Sequence, residues 1–177
     1  SPYGSLIVVG SYVPKTTSQL AYLLDQKKHE TIEINVSELD VDSQKKSEDI
    51  SRQTDRWLAS GKDVVIYTSR ELKTGRDEES SLLINSTVSS FLVDIVKGIN
   101  IRPSFFLAKG GITSSDLASK GLSSKSALVL GQATAGVPVW QLDSISKFPE
   151  IIYIVFRGNV GDTTALYNVW NKFKSPA

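Results

Sequence analysis

The sequence contains no cysteine and a single histidine. Without cysteine the chain has neither disulfides nor thiol chemistry, so a reducing compartment is allowed and we expect the cytoplasm. One histidine and no cysteine leave no Cys–His dyad and no plausible zinc site, and we predict no protein-built metal site. His29 lies in the polar run Gln26–Glu30, which predicts a surface residue, and we do not expect it to serve a Ser-His-Asp triad.

An excess of charge and a long apolar segment are also absent. The net charge is +1 at pH 7, which gives no electrostatic reason to expect nucleic acid or an anionic membrane as a partner. No apolar run approaches the length of a membrane span. With 177 residues, 40% of them hydrophobic and 22% charged, the chain resembles an ordinary globular protein and fits one domain, residues 1–177.

Two familiar nucleotide-binding motifs are missing from the sequence. There is no G-x-x-x-x-G-K-[ST] run, which excludes a P-loop protein. No G-x-G-x-x-G run follows the first predicted strand, which disfavours an oxidoreductase domain that binds a dinucleotide. Any phosphate site in this chain must therefore be built differently.

Short apolar runs alternate with segments of helical spacing along the chain. Strands are predicted at Leu6–Val9, Thr31–Val36, Val64–Tyr67, Phe105–Ala108, Ala127–Leu130 and Ile151–Phe156. Helices are predicted near Leu20–Leu24, Ser37–Ser60, Leu82–Val96, Thr113–Lys120 and Leu166–Phe173, with a mobile loop at Ser69–Ser80 and a break at Gly136–Pro138. The alternation, and strands that are apolar on both faces, predict a single α/β domain whose mainly parallel sheet carries helices on both faces.

A glycine pair marks the end of the strand Phe105–Ala108. Lys109 is followed by Gly110 and Gly111, which let the backbone adopt positive φ and approach a ligand closely. Thr113 and Asp116 form a capping-box pattern, so a helix is predicted to begin there. A strand, a glycine turn and a helix N-terminus together aim amide N–H groups at one point, which suits a phosphate. The alternative is a tight turn without a ligand.

Two further predicted strands end in similar turns, Gly10–Ser11 and Gly158–Gly161. The carboxyl ends of parallel strands lie at one edge of a sheet, so the three turns are expected to converge on one anionic ligand, such as a nucleotide polyphosphate. Ordinary turns without a ligand remain the alternative. Weaker candidates are Lys109, Arg70 and Arg157 as phosphate contacts, and Asp116 and Asp162 as Mg²⁺ ligands or helix-stabilising charges.

These residues also carry a resemblance to a known family. The motifs are Val8–Ser11, Leu107–Asp116 with its Ala-Lys-Gly-Gly-Ile-Thr-Ser-Ser-Asp run, Gly131–Gln132, Gly136–Trp140 and Val155–Gly161, in that order. They resemble the C-terminal nucleotide-binding domain of the four-carbon acid sugar kinases, which phosphorylate threonate- and erythronate-type acids with ATP. The match spans nearly the whole chain. The sequences of these motifs are most similar to those of versions found in large eukaryotic polypeptides, where the domain lies beside dehydrogenase-like and aldolase-like domains.

The resemblance implies that this chain binds ATP with Mg²⁺. The nucleotide-binding residues that it implies are Ser11, Lys109, Gly110, Gly111, Thr113, Gly136, Gly158, Asn159, Val160 and Gly161. The family's acid-sugar site, and with it the catalytic base, belongs to an N-terminal domain with which this domain shares its substrates. We therefore expect weak binding of ATP–Mg²⁺ and little or no turnover by this chain alone, and an association into homo-oligomers stays open.

Two positions depart from the family pattern. Arg157 stands where the family has proline or serine, and Ala135 stands where it has proline before Gly-Val-Pro. Neither change removes a glycine from the three turns. A non-catalytic interaction or regulatory domain of a multifunctional metabolic protein remains the alternative function. It is disfavoured because the glycines of the loops are all retained, namely Gly110, Gly111, Gly158 and Gly161.

Overall fold

The computed structural model describes residues 1–39, 42–71 and 76–174. Its strands are β1 (Leu6–Val9), β2 (Glu30–Ile34), β3 (Val64–Thr68), β4 (Phe106–Lys109), β5 (Ala127–Thr134), β6 (Val137–Leu142) and β7 (Ile152–Phe156). Its α-helices are α1 (Pro14–Asp25), α2 (Ser43–Ala59), α3 (Glu78–Gly98), α4 (Gly111–Asp116) and α5 (Ala165–Phe173). A 3₁₀ turn spans Val36–Glu38, and α4 continues into a π-helical turn, Leu117–Gly121.

All the strands belong to one sheet, in the order β2-β3-β1-β4-β7-β6-β5. The five strands from β2 to β7 are mutually parallel, whereas β6 and β5 run antiparallel to their neighbours. After β1 the chain passes through α1 to β2, at one edge of the sheet. After β4 it continues to β5, at the opposite edge. In such sheets the connections diverge between two neighbouring strands, and a crevice opens at their carboxyl ends. Here that crevice lies beside β1 and β4.

Helices cover both faces of the sheet, as the sequence predicts. In β1, Leu6 and Val8 pack toward α2 and α3, while Ile7 and Val9 pack toward α1 and α5. All four side chains are buried, since a strand covered on both faces has no solvent side. The prediction of a single α/β domain is therefore confirmed. Of the helices in the described part of the chain, none is long and apolar enough to cross a membrane.

The hairpin of β5 and β6 differs from the prediction. The run Ala127–Leu130 was expected to be a buried strand, and β6 was not predicted. Instead β5 is the edge strand, and the side chains of Leu128 and Val129 are 62% and 64% exposed. The two strands are joined by the two-residue turn at Ala135 and Gly136, where Gly136 has a φ of +79°. The apolar run indicated a strand correctly, but its composition does not reveal its place at the edge.

The predicted loop Ser69–Ser80 is only partly a loop. Its residues 72–75 lie outside the described part of the chain. Helix α3 begins at Glu78, and the Asp77 side chain accepts a hydrogen bond of 2.7 Å from the Ser80 amide. Asp77 is thus an N-cap, a role that satisfies one free amide of the first helical turn.

His29 is not the exposed residue that its polar neighbours predict. Its ring packs against Trp170 with 4.1 Å between the ring centroids. Both ring nitrogens are buried, and neither has a hydrogen-bond partner among the described residues. Burial lowers the pKa of His29 from 6.5 to about 4, against the opposing attraction of Asp63.

We expect His29 to destabilise the fold in mild acid. Since the pKa is lower in the folded state, the unfolded chain takes up the proton first, and stability falls as the pH drops from about 6.5 toward 4. The loss should reach roughly 2–3 kcal/mol. Urea unfolding followed by tryptophan fluorescence at pH 7 and pH 5 measures it, and His29→Phe should lose less stability over that interval than the parent. Equal losses in both proteins would contradict this assignment.

Candidate functional site

The ends of β1, β4 and β7 meet in direct contact, and glycines make the contact possible. A Cβ atom on Gly10 would lie 2.1 Å from Thr113 Oγ1, and one on Gly158 would lie 2.7 Å from Ser11 Oγ. Gly110 has a φ of +119°, and a Cβ atom there would lie 3.2 Å from the Ser11 amide nitrogen. The three turns that the sequence singles out are therefore neighbours in space.

This contact gives a test of local packing. Gly10→Ala should destabilise the protein by about 1–3 kcal/mol, because its methyl group overlaps the Thr113 side chain. The double variant Gly10→Ala/Thr113→Ala should recover part of the loss, since it removes the hydroxyl that lies nearest. Thermal unfolding of the two single variants and the double variant measures the coupling. Strictly additive effects would show that the two positions do not interact.

Helix α1 holds the turn after β7 by its carbonyl oxygens. Thr16 Oγ1 donates to the Gly158 carbonyl at 3.0 Å, and Lys15 Nζ donates to the Asn159 carbonyl at 3.4 Å. Gln19 Nε2 donates to the carbonyls of Val160, at 2.8 Å, and Asp162, at 2.9 Å. The carbonyl oxygens of this turn are thus directed at α1.

Lys109, the last residue of β4, also binds carbonyl oxygens of the turn after β7. Its side chain is fully buried, and Nζ donates to the carbonyls of Arg157 at 2.7 Å and Gly158 at 3.2 Å. The ammonium group also lies 4.2 Å from the ring centroid of Phe156. Burial, and secondly the nearby charge of Lys15, lower the pKa of Lys109 to about 7. The sequence predicts Lys109 as a phosphate contact. Its Nζ binds the backbone of the neighbouring turn, and a direct contact with phosphate stays a prediction.

Arg70 binds a backbone carbonyl in the turn after β1, as Lys109 does in the turn after β7. Its Nη2 donates to the Ser11 carbonyl at 2.6 Å and to Thr17 Oγ1 at 2.8 Å, and its guanidinium lies 5.6 Å from the Tyr12 ring centroid. Burial lowers the pKa of Arg70. Its Nη1 is buried and has no hydrogen-bond partner among the described residues. Within the described residues, this donor is thus unused, and it lies near Ser11.

The resulting surface is electropositive. Within the described residues, none of Lys15, Arg70 and Lys109 forms an ion pair with a carboxylate. The amide N–H groups of Gly158 and Asn159 donate to no described residue, whereas their carbonyls are bound by cations and hydroxyls. Free amides and unpaired cations at one point attract an anion. The carbonyl oxygens, which would repel an anion, are instead bound by the cations and hydroxyl groups.

Helix α4 starts two residues earlier than predicted. Its first residue is Gly111, its N-cap is Gly110, and Thr113 lies inside the first turn. The predicted capping box is therefore wrong. Asp116 instead accepts a hydrogen bond of 2.5 Å from Ser89 Oγ on α3, and it lies 3.6 Å from Lys120 Nζ. A Cβ atom on Gly111 would meet no atom within 4 Å, so this glycine faces open space.

The other predicted residues surround the turn after β7. Gly136, in the β5–β6 turn, is a neighbour of Val160: a Cβ atom on Gly136 would lie 3.2 Å from Val160 Cγ1. Gly161 has a φ of +82° and packs against Ala165 of α5. Arg157 is exposed, and its carbonyl is held by Lys109. All ten predicted binding residues thus lie in or beside the three turns, and that they bind a nucleotide stays a prediction.

Sequence reasoning missed the α1 residues that hold the turn. Thr16 and Gln19 are fully buried, and they share the buried face of α1 with Leu20 and Leu23. Polar residues at helical spacing with buried leucines are unusual, since a buried polar group must find a partner. This spacing could have indicated that Thr16 and Gln19 bind a neighbouring segment of the chain. Lys15 gave none, because an exposed lysine on a helix is common.

The family model for the nucleotide-binding C-terminal domain matches residues 6–166. The chain belongs to this family. The match includes each of the three turns and the whole of β1 to β7. For a nucleotide-binding C-terminal domain, the free amides and cations at the strand ends are the natural place to look for the phosphates. No match to a curated protein was found.

Solved structures share the fold of this nucleotide-binding C-terminal domain. A Bordetella bronchiseptica protein described as a DUF1537 domain of unknown function, a domain-swapped dimer with bound citrate, superposes with a TM-score of 0.74 at 16% identity. A Salmonella typhimurium LT2 protein gives 0.75 at 16% identity, and a Haemophilus influenzae DUF1537 protein gives 0.70 at 15%. Each match covers 97% of this chain, which spans only 40% or 41% of the neighbour.

Proposed function

We propose that this chain is the ATP-binding half of a kinase that phosphorylates four-carbon sugar acids of the threonate and erythronate class. The observation that carries the proposal is the backbone orientation at the three strand ends. The carbonyls of Ser11, Gly158 and Asn159 are bound by Arg70, Lys109 and Lys15, so the amides stay free for phosphate oxygens. Family membership supports a nucleotide as the anion.

This arrangement suits phosphoryl transfer, which depends chiefly on positioning and on stabilising negative charge. Backbone amides fixed by a rigid scaffold need no reorganisation when charge develops on the phosphates. Gly111 presents a further amide at the start of α4, whereas the Gly110 amide donates to the Phe156 carbonyl at 2.7 Å. Among the residues that the structure describes, no carboxylate pairs with Lys15, Arg70 or Lys109, so their charge remains available to the phosphates.

Mg²⁺ would enter with the nucleotide. No group of three or more His, Cys, Asp or Glu side chains within residues 1–39, 42–71 and 76–174 is arranged to hold a metal ion. Magnesium in nucleotide sites is held mainly by phosphate oxygens and water, together with one or two carboxylates. Asp116 is poorly placed for that supporting role, because its carboxylate already binds Ser89 and Lys120.

The sugar-acid substrate class is proposed because the Ala-Lys-Gly-Gly-Ile-Thr-Ser-Ser-Asp run resembles that of the four-carbon acid sugar kinases. The Bordetella neighbour holds citrate, which is itself a hydroxy acid, and this chain spans 41% of that protein. We therefore place the sugar-acid site and the catalytic base in an N-terminal domain of a larger protein. The domain-swapped dimer of that neighbour also supports a homo-oligomer here, which light scattering of the purified chain would test.

Isothermal titration with ATP–Mg²⁺ tests the nucleotide site, with NAD⁺ as the control ligand. We expect weak binding of ATP and no binding of NAD⁺. Production of ADP by the longer polypeptide in the presence of threonate or erythronate then tests the kinase. ATP binding without sugar-acid-dependent turnover in that longer protein would contradict the kinase and favour a non-catalytic regulatory domain.

A further inference from the structure

A cavity of about 430 Å³ opens beside the turn after β7, on the side of α5. It lies between the tip of the β5–β6 hairpin, at Thr134 and Ala135, and the α5 residues Ala165 and Asn168. Gly161, at the end of the turn after β7, also lines the cavity. Its volume is within the range of small-molecule pockets in proteins.

One ligand can reach both the cavity and the three turns. Gly158 contacts Ser11 at one end of the turn, and Gly161 lines the cavity at the other. Three residues of extended chain span at most about 11 Å, so the two places are separated by no more than the length of that short segment. The turn therefore contributes residues to both places.

The two places differ in charge. The turns are surrounded by cations, but the cavity carries the Asp162 carboxylate, and its Lys172 ammonium donates to the Ala133 carbonyl at 2.7 Å. Asp162 Oδ1 accepts from the Thr164 amide and hydroxyl at 3.0 and 2.9 Å, and no described residue donates to Oδ2. A carboxylate repels phosphate and accepts hydroxyl groups. Ala165 and Val169 form the apolar part of the cavity lining.

We propose that this cavity holds the nucleoside of the nucleotide whose phosphates lie on the three turns, with Asp162 accepting hydrogen bonds from the ribose hydroxyls. The inference rests on the proposed function and adds the orientation of the ligand. The phosphate chain runs from Gly161 toward Ser11, where the unused Nη1 donor of Arg70 lies.

The test separates the nucleoside from the phosphates by comparing ATP–Mg²⁺ with tripolyphosphate–Mg²⁺ in isothermal titrations. Asn168→Phe narrows the cavity from its exposed rim. Asn171→Phe is the matched control, because Asn171 is exposed on the same helix and is not among the described residues that line the cavity. Asn168→Phe should weaken ATP binding by about tenfold or more and leave tripolyphosphate binding unchanged, whereas Asn171→Phe should change neither.

A second comparison tests Asp162. The parent should bind 2′,3′-dideoxy-ATP less tightly than ATP, and Asp162→Ala should remove most of that difference. Preference for ATP over tripolyphosphate with no effect of Asn168→Phe would overturn the orientation and leave the proposed function standing. Failure of both ligands to bind the parent would overturn both.

Discussion

Gly111→Asp should leave the protein folded and weaken its binding of ATP–Mg²⁺ by about a hundredfold or more. The structure gives the new side chain open space, since a Cβ atom at this position meets nothing within 4 Å. Gly111 is the first residue of α4, where a negative side chain stabilises the helix rather than disturbing it. The same charge would lie where we place the phosphates, so it would repel them.

The matched control is Gly111→Ala, which adds the Cβ atom without the charge. We expect this variant to bind ATP–Mg²⁺ with nearly the parent's affinity, because the glycine is not held at positive φ. Isothermal titration measures binding, and circular dichroism with thermal unfolding confirms that both variants are folded. If Gly111→Asp binds as tightly as Gly111→Ala, the phosphates do not lie at the start of α4.

The glycine turns were predictable because their signal is local. Gly10, Gly110 and Gly158 each follow an apolar run, and parallel strands bring such positions to one edge of a sheet. Their mutual contacts could not be predicted, because they depend on strand order. Nothing local to β4 in the sequence shows that β1 and β7 are its two neighbours.

Residues whose role depends on distant partners were misread. Lys109 was predicted only as a phosphate contact, and its burial was not foreseen, because the Arg157 and Gly158 carbonyls that replace water around its ammonium group are almost fifty residues away. His29 was misread for the same reason, since Trp170 at the far end of the chain covers its ring. Conversely, Leu128 was taken as buried although β5 has no neighbour on its outer side. The local composition of a segment predicts burial correctly only where other parts of the fold actually cover that segment.

Lys109 should take up a proton when the nucleotide binds. The pKa of this lysine is about 7 because burial, and next the charge of Lys15, disfavour the ammonium form. Lys15 is the charged neighbour that acts on it, and this neighbour is also a cation. Polyphosphate on the free amides would favour the ammonium form and raise the pKa. At pH 8, where about 90% of the free Lys109 is neutral, binding should therefore draw roughly one proton from solution.

Titration of ATP–Mg²⁺ at pH 8 in buffers of different ionisation enthalpy measures this uptake, and affinity should fall by up to about tenfold per pH unit above pH 7. Lys109→Met should abolish the uptake and flatten the pH dependence. Lys15→Met is the matched control: Lys15 also donates to a carbonyl of the turn, but it is exposed, so its removal should weaken binding. Because burial is the larger cause of the low pKa of Lys109 and Lys15 the smaller one, most of the uptake should remain in this variant. Proton uptake that survives in Lys109→Met would assign the titration to another group and leave Lys109 with only the task of holding the Gly158 turn in position.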